Sequence, residues 1–317
     1  MQVSWPRIAV VGAGAVGCYF GGVLARAGAP VTLIGRPDHV SAIERDGLLL
    51  EMAQQQLRIA VAASSDIDAA RGADLVLFCV KSTDTDSAAQ QLAPLLPAGA
   101  TVLSLQNGVD NVERICRHVT CDVFPAVVYV AAAMAGPGHV RHTGRGDLVI
   151  GALGAAQGSD ISGRALQRVA ATLELAQIPC VISRNVEGAL WVKLLINCAY
   201  NAISALGRAR YRRIVTQPRA LGVMQAAVRE VIAVAGAAGV RLPEGGLVET
   251  ACRLAETMPE AISSTAQDIA RGRRTEIDHL NGYVVRRGEA VGVDTPVNRT
   301  LHALVRLLEE STQAELR

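Results

Sequence analysis

The pattern of hydrophobic and polar positions changes character once along the chain. The first half alternates helix-like segments with short apolar runs, at residues 8–11, 31–34, 75–80 and 101–105. Such runs are typical of parallel strands that are buried on both faces of a sheet. From about residue 185, long helical patterns with few β-branched runs take over. We therefore predict an α/β domain with a doubly wound sheet over residues 1–184 and an all-α domain over residues 185–317.

The first strand leads directly into a glycine-rich turn. Gly12, Gly14 and Gly17 form a GxGxxG motif between the apolar run 8–11 and a helix-like stretch. The first glycine permits a tight turn, the second lets a pyrophosphate approach the backbone, and the third lets helix and strand pack closely. The motif predicts a Rossmann-type dinucleotide site, although a glycine-rich helix contact is an alternative. The residues expected to hold the cofactor here are Gly12, Gly14, Ala15, Val16 and Gly17.

The end of the second strand predicts which dinucleotide binds. An NAD site usually places a carboxylate there, whereas this strand ends in Ile34, Gly35 and Arg36, with no carboxylate before Asp38. A guanidinium can stack on adenine and pair with a 2′-phosphate. We therefore predict NADP (NADPH) as the cofactor, with Arg36 as the discriminating residue. The alternative is a surface arginine in a turn.

Composition narrows the classes of function. With 31 basic and 29 acidic residues the net charge is +2, which does not favour a nucleic-acid partner, and 50% hydrophobic residues exclude a disordered chain. Seven scattered cysteines lack zinc-site spacing. We expect no metal site and buried thiols in the reducing cytoplasm. The uncharged run 8–25 contains five glycines, so we interpret it as part of the phosphate-binding turn rather than a membrane segment.

Lysine is nearly absent from the chain. Only Lys81 and Lys193 are present among the 31 basic residues. Arginine cannot give up a proton near neutral pH, so the two lysines are candidates for chemistry that arginine cannot perform, although they could also be ordinary surface residues. Lys81 follows an apolar strand, as Asn107 does. Ligands of open α/β sheets bind at the carboxyl ends of strands.

The second lysine lies in a polar stripe on an apolar helix. Lys193, Asn197 and Asn201 are spaced i, i+4, i+8 within residues 191–206, so they share one helix face. Buried polar groups are costly unless they are satisfied. A partly desolvated lysine can have a pKa low enough to donate a proton. We expect a substrate surface here, in a cleft between the domains. The alternative is that the asparagines cap neighbouring helices while the lysine reaches solvent.

Five sequence blocks together carry a resemblance that covers nearly the whole chain. They are GAGAVGCYFGG from residue 12, VK at 80–81, QNG at 106–108, KLLINCAYNAIS from Lys193 and SSTAQDIARGRRTEID from Ser263. The chain resembles the ketopantoate reductase (2-dehydropantoate 2-reductase) family, within the 6-phosphogluconate dehydrogenase-like superfamily. The resemblance implies NADPH-dependent reduction of a small 2-oxo acid, 2-dehydropantoate, to pantoate in pantothenate biosynthesis.

The same resemblance implies roles for individual residues. Lys193 corresponds to the family's catalytic lysine, which polarises the ketone and donates a proton, and Glu276 to its glutamate, which orients lysine or substrate. Asn107 corresponds to the asparagine on the nicotinamide side, where it also meets substrate, and Lys81 to the lysine beside it. The family's remaining substrate-binding residues correspond to Asn197, Asn201 and Ser264.

One departure from the family leaves alternatives open. Where family members carry a further asparagine, this chain has a basic stretch at residues 207–213, with Tyr211 near that place. The arginines could suit a more acidic substrate or form a solvated turn. Reduction of another 2-oxo acid or of a related keto or imino compound, and an NADP-sensing protein without catalysis, are the alternative functions. We expect no membrane partner, and both a monomer and a homodimer remain open.

Overall fold

The fold divides into a sheet-containing unit followed by a helical one. The computed structural model describes residues 4–154, 157–158 and 160–315. The two compact units are Met1–Val186 and Glu187–Arg317. Every described strand lies in the first unit, and the described residues of the second form helices and turns. The predicted fold class, a Rossmann-type sheet followed by an all-α region, is confirmed. Cofactor binding by residues 1–184 and catalysis by residues 185–317 stay predictions.

The sheet of the first unit is mostly parallel. The strands are β1 (Ile8–Val11), β2 (Val31–Ile34), β3 (Leu48–Met52), β4 (Gln55–Ile59), β5 (Ala62–Ser64), β6 (Leu75–Phe78), β7 (Thr101–Ser104), β8 (Asp122–Gly136), β9 (His139–Ile150) and β10 (Cys180–Ile182). The strand order is β4-β3-β9-β8-β7-β6-β1-β2-β5, and β10 pairs with β9. Only the pairs β3–β4 and β8–β9 are antiparallel among the described strands.

Burial on both faces explains why the central strands are uninterrupted apolar runs. In β1, Ile8 and Val10 join one core cluster while Ala9 and Val11 join another, since successive side chains of a strand point to opposite faces. Phe20 of the first helix is fully buried in the first cluster. The helices of this unit are α1 (Ala15–Arg26), α2 (Pro37–Asp46), α3 (Thr85–Leu92), α4 (Asn111–Cys116) and α5 (Asp160–Leu175).

The strands β3 and β4 form a hairpin whose second strand begins earlier than the apolar pattern of the sequence predicts. The apolar pattern predicts strands at 48–52 and 57–62, but β4 begins at Gln55, and residues 62–64 form β5 beside β2. Met52 pairs with Gln55, so the hairpin turn is short. Gln55 and Gln56 are exposed on a strand at the edge of the sheet. An edge strand has no second neighbour to bury it, which is why the apolar pattern misses its beginning.

Only some of the cysteine thiols are buried, whereas the sequence predicts burial for all of them. All seven are free thiols. Cys18 and Cys198 are buried, but Cys116 is exposed, so the prediction of uniformly buried thiols is wrong there. Cys116 is the last residue of the short helix α4, where the chain turns toward solvent.

The second unit consists of helices around a long central one, α6 (Val186–Gly207), which carries the predicted polar stripe. Glu230 joins two of the later helices, because its carboxylate accepts hydrogen bonds from the backbone N–H groups of Val297 (2.8 Å) and Asn298 (2.9 Å). It thereby satisfies donors at the start of a helix, which otherwise lack partners. The later helices are α7 (Tyr211–Thr216), α8 (Pro218–Ala237), α9 (Leu247–Thr257), α10 (Ser264–Ala270), α11 (Asn281–Val291) and α12 (Pro296–Glu315).

Two helices, α6 and α8, are long and apolar enough to cross a membrane by length and composition alone. The core helix of a water-soluble domain meets the same criteria. Within the structure, 61% of the apolar window of α6 and 33% of that of α8 is buried. The burial of α6 is typical of a core helix.

The glycine turn between β1 and α1 depends on close backbone approach. Gly12 has a φ of +108°, and a Cβ there would lie 2.6 Å from the backbone of Cys79 and Val80. A Cβ on Gly17 would overlap the carbonyl oxygen of Gly12, whereas a Cβ on Gly14 would meet nothing within 4 Å. The first and third glycines are therefore required by the fold, and the second is not.

This difference predicts that two alanine substitutions destabilise the fold to different extents. Gly17→Ala forces α1 away from the turn and should lower the free energy of unfolding by about 1–3 kcal/mol, the usual cost of overpacking. Gly14→Ala, at the helix N-cap, should cost less than about 1 kcal/mol. Urea unfolding of both variants checks this. Equal losses in the two variants would show that the close contact at Gly17 does not limit stability.

Candidate active site

The glycine turn presents the amino end of α1 at the carboxyl end of β1. The backbone N–H groups of Gly12 and Ala13 donate to the carbonyl of Ile34 at 2.9 and 2.8 Å, which fixes the turn against β2. Helix α1 has Gly14 as its N-cap, without a side-chain cap and without an acidic residue in its first turn. The helix dipole at this end is therefore uncompensated, and the space beside Gly14 is open. This arrangement fits a pyrophosphate.

Arg36 lies beside this turn. A Cβ on Gly35 would lie 2.6 Å from the Cβ of Ala13, so the end of β2 lies directly against the glycine turn. Arg36 follows in extended conformation and is exposed. No carboxylate pairs with Arg36 anywhere in the described ranges. Its guanidinium can therefore bind a phosphate without first breaking an ion pair.

A buried polar network joins the loops that follow β6 and β7. The backbone carbonyl of Asn107 accepts hydrogen bonds from the Ser82 hydroxyl (2.9 Å) and the Asn111 amide (2.7 Å). The amide of Gln106 donates to the carbonyl of Val80 (3.1 Å). Lys81 and Asn107, which were predicted to lie at neighbouring strand ends, are thereby held on loops fixed to each other.

Sequence reasoning missed the residues that build this network. Gln106 also donates to the hydroxyl of Thr85 (2.8 Å), and that hydroxyl donates to the side chain of Asn111 (2.9 Å). These three side chains are buried. For Gln106 the available signal was a polar residue close behind the apolar strand β7, since buried polar side chains require partners. Thr85 and Asn111 begin helices farther along the chain and gave no such signal.

The predicted stripe in the second unit lies on one helix, as expected. Lys193, Asn197 and Asn201 all belong to α6. Asn201 is only 3% exposed, and its amide nitrogen lies 3.5 Å from the hydroxyl of Ser264, which is itself exposed. Two predicted substrate-binding residues are thus in direct contact. Lys193 and Asn197 are half-buried residues.

Ser263, which the sequence analysis did not single out, connects α10 to α6. Its fully buried hydroxyl donates to the carbonyl of Asn201 (3.2 Å) and accepts from the backbone N–H of Ala266 (3.1 Å) as the N-cap of α10. Its own N–H donates to the hydroxyl of Ser204 (3.3 Å). These bonds hold Ser264 beside Asn201.

The amine of Lys193 has a pKa well below the usual value for a lysine. Burial lowers its pKa from 10.5 to about 8, and the opposing charge of Glu276 limits the decrease. A desolvated ammonium is destabilised, while a nearby carboxylate stabilises it. The predicted catalytic pair therefore interacts electrostatically within the second unit. The resulting pKa lies close to neutral pH, where an ammonium can both persist and donate a proton.

The basic stretch at residues 207–213, near the end of α6, makes ion pairs and an aromatic contact. Arg210 and Arg212 lie 3.5 and 3.8 Å from the carboxylate of Glu260. The ring of Tyr211 packs on that of Tyr200 with centroids 4.3 Å apart, and burial raises the pKa of Tyr211 to about 12. These contacts favour a structural turn over a binding site for an acidic substrate.

A titration would check the assignment of the Lys193–Glu276 pair. Protein labelled with ¹³C at lysine contains only two labelled side chains, Lys81 and Lys193. We expect Lys193 to titrate near pH 8, and Glu276→Gln to move its midpoint to lower pH, because the carboxylate that stabilises the ammonium is removed. The conservative variant Glu276→Asp is the control and should retain most of the interaction. An unchanged Lys193 midpoint in Glu276→Gln would show that the Glu276 carboxylate does not stabilise the Lys193 ammonium.

Comparison with known proteins covers both units. A family described as "Ketopantoate reductase PanE/ApbA" matches residues 8–155, and one described as "Ketopantoate reductase PanE/ApbA C terminal" matches residues 185–309. A 2-dehydropantoate 2-reductase from Halobacterium salinarum is 36% identical over 306 residues, which cover 96% of this chain and 99% of the relative.

Solved structures agree with this match. A PanE/ApbA family ketopantoate reductase from Ralstonia eutropha JMP134 is 53% identical, with a TM-score of 0.90 over 96% of this chain and 99% of the other. A D-mandelate dehydrogenase in a ternary structure with NADH and anilino(oxo)acetate is 26% identical, with a TM-score of 0.88 and the same coverage. With family matches on both units, the chain belongs to the ketopantoate reductase family.

Proposed function

We propose that this protein is an oxidoreductase that reduces 2-dehydropantoate to pantoate with NADPH. The observation that carries the proposal is the Lys193 amine, whose pKa burial lowers to about 8 beside the carboxylate of Glu276. The 2-dehydropantoate 2-reductase from Halobacterium salinarum, which is 36% identical along nearly its whole length, supports the substrate. Pantoate formation would place the reaction in pantothenate biosynthesis.

The choice of NADPH over NADH rests on the end of β2. Family membership indicates a nicotinamide cofactor, and the related D-mandelate dehydrogenase was solved with NADH. In this chain Arg36 follows β2 directly, it is exposed, and Asp38 is the first carboxylate after the strand. A guanidinium at this place favours a 2′-phosphate, which a carboxylate would repel. Gly12, Gly14, Ala15, Val16 and Gly17 would hold the pyrophosphate.

In this mechanism the protein supplies the proton and the orientation. The bound cofactor supplies the hydride that reduces the ketone carbon. The ammonium of Lys193 polarises the ketone oxygen and donates a proton as negative charge develops there. Glu276 stabilises the ammonium and orients the lysine or a substrate hydroxyl. Asn197, Asn201 and Ser264 would bind substrate oxygen atoms, and Asn107 and Lys81 would act on the nicotinamide side.

A second candidate is a reductase of another 2-oxo acid or of a related keto or imino compound. The D-mandelate dehydrogenase neighbour favours it, because a protein with this fold was solved with anilino(oxo)acetate. A protein that only senses NADP would not need the electrostatic coupling of Lys193 with Glu276. Assays of NADPH oxidation with a panel of 2-oxo acids that includes 2-dehydropantoate decide between these functions. Cytoplasmic location and assembly as a monomer or homodimer stay predictions.

Cofactor choice is tested by a substitution at Arg36. Arg36→Ala should weaken NADPH binding by about 1.5–3 kcal/mol, the value of a hydrogen bond to a charged group, and should leave NADH binding nearly unchanged. Fluorescence titration with each cofactor measures both values. Arg26→Ala is the control, because Arg26 is an exposed arginine at the C-terminal end of α1, away from the glycine turn. Equal losses for the two cofactors would show that Arg36 does not bind the 2′-phosphate.

Proton donation by Lys193 is tested by two substitutions of the lysine and by the pH dependence of turnover. Lys193→Arg and Lys193→Met should both lower kcat by about 10²–10⁴-fold, because a guanidinium retains charge but is a very poor acid near neutral pH. For the unmodified enzyme, kcat/KM of reduction should be highest below pH 8 and fall above it, as the donor loses its proton. Near-normal turnover by the arginine variant would contradict proton donation, and near-normal turnover by the methionine variant would remove Lys193 from the mechanism.

A further inference from the structure

Glu276 lies in an irregular segment. Helix α10 ends at Ala270 and α11 begins at Asn281, and between them only a 3-10 turn, Ile277–His279, is regular. Glu276 precedes that turn with φ −100° and ψ 19°. The backbone of a helix therefore does not fix the position of its carboxylate. Contacts from elsewhere in the unit must do so.

The residue directly before Glu276 is held by a buried acid. Thr275 is 2% exposed and Glu309, on α12, is 3% exposed. One carboxylate oxygen of Glu309 accepts hydrogen bonds from the hydroxyl (2.7 Å) and the backbone N–H (3.3 Å) of Thr275. The Thr275 hydroxyl in turn accepts from the N–H of Ile277 (3.3 Å). Backbone atoms on both sides of Glu276 are thus tied to one buried carboxylate.

A second contact from α12 holds the following part of the segment. Asp278 accepts a hydrogen bond from His302 (2.7 Å) and lies 3.6 Å from Arg306, and these contacts keep its pKa below the usual range, with the His302 bond as the main cause. Arg306 also lies 3.7 Å from Glu309. Both anchors of the Glu276 segment therefore come from one helix.

Burial of the Glu309 carboxylate costs free energy of hydration, and its contacts indicate why the carboxylate is buried there. An acidic side chain is rarely buried unless partners compensate for the lost hydration. Glu309 directs its hydrogen bonds at Thr275, and its neighbour Glu310 on the same helix is exposed. The segment that α12 holds in this way is the one that carries Glu276.

We propose that Glu309 is a positioning residue, which acts through Thr275 to fix the carboxylate of Glu276 at its working distance from the amine of Lys193. The proposal rests on the proposed function, because that function gives Lys193 and Glu276 their roles. The charged groups of α12 that face the segment are Glu309, Arg306 and His302, and Arg274 lies on the segment itself, 3.9 Å from Asp278.

The central test is Thr275→Val, which removes the hydroxyl with little change in shape. If the Glu276 carboxylate moves away, the ammonium of Lys193 loses stabilisation. We expect the Lys193 midpoint in ¹³C-lysine-labelled protein to move to lower pH, in the direction of the Glu276→Gln variant. We also expect kcat/KM to fall about tenfold, since small misplacements of catalytic groups are costly. Thr275→Ser, which restores the hydroxyl, should recover both.

Matched controls distinguish an effect on the position of the Glu276 carboxylate from an effect on protein stability and from a direct effect of the Glu309 charge. Thr312→Val removes a hydroxyl on α12 that donates to the carbonyl of Leu308 at 2.8 Å, so it should change neither the midpoint nor kcat/KM. Glu309→Gln should lower the midpoint, whereas Glu310→Gln, which removes a charge at the adjacent position, should not. In the Thr275→Val background, Glu309→Gln should add little, because the hydroxyl bond from Thr275 to Glu309 is already removed and only the longer backbone N–H contact (3.3 Å) remains.

The outcomes are distinguishable. A lower melting temperature with an unmoved Lys193 midpoint in Thr275→Val and Glu309→Gln would overturn the proposal and leave Glu309 with a structural role. A midpoint shift of Glu309→Gln that persists in the Thr275→Val background would also overturn it, in favour of a direct charge effect. Absence of turnover with every 2-oxo acid would refute the proposed function, while the titration would still report on positioning.

Discussion

The balance between desolvation and one opposing charge at Lys193 is the constraint on which the proposed chemistry depends. Burial alone would destabilise the ammonium, and the carboxylate of Glu276 alone would make the amine a weaker acid. Their opposition leaves a pKa of about 8. The lysine lies on the apolar helix α6, and an irregular segment provides the carboxylate. The geometry of that segment therefore matters as much as the presence of the lysine.

Functional side chains on loops, and at the start of one short helix, are held by buried hydroxyls, amides and acids. In the first unit, Gln106 and Asn111 fix the loops of Lys81 and Asn107. In the second, Ser263 fixes Ser264 beside Asn201. A loop has no ladder of hydrogen bonds of its own, so its backbone groups need partners from elsewhere. These side chains therefore give the loops a definite position.

The sequence predicted what periodicity and spacing encode, namely the parallel strands, the glycine turn, the polar stripe on α6 and the change to helices. It did not predict partners that are distant along the chain. Glu309 lies 34 residues from Thr275, and nothing in a local pattern distinguishes it from the exposed Glu310. The start of β4 was also missed, because its first residues are polar and exposed. Family resemblance supplied Glu276, which residue patterns alone presented as an ordinary carboxylate.

The extended residue before α2 illustrates a conflict between local stability and recognition. Arg36 is the N-cap of α2 and makes no capping hydrogen bond with its side chain. Asp or Ser at that position would accept a bond from the first turn, which is typically worth about 1 kcal/mol of helix stability. The N-cap preference of α2 at this position therefore favours a carboxylate, which is also the group usual there in NAD-binding proteins of this fold. If Arg36 binds the 2′-phosphate as proposed, a substitution that stabilised α2 at this one exposed position would also change the preferred nicotinamide cofactor, without disturbing the core beneath it.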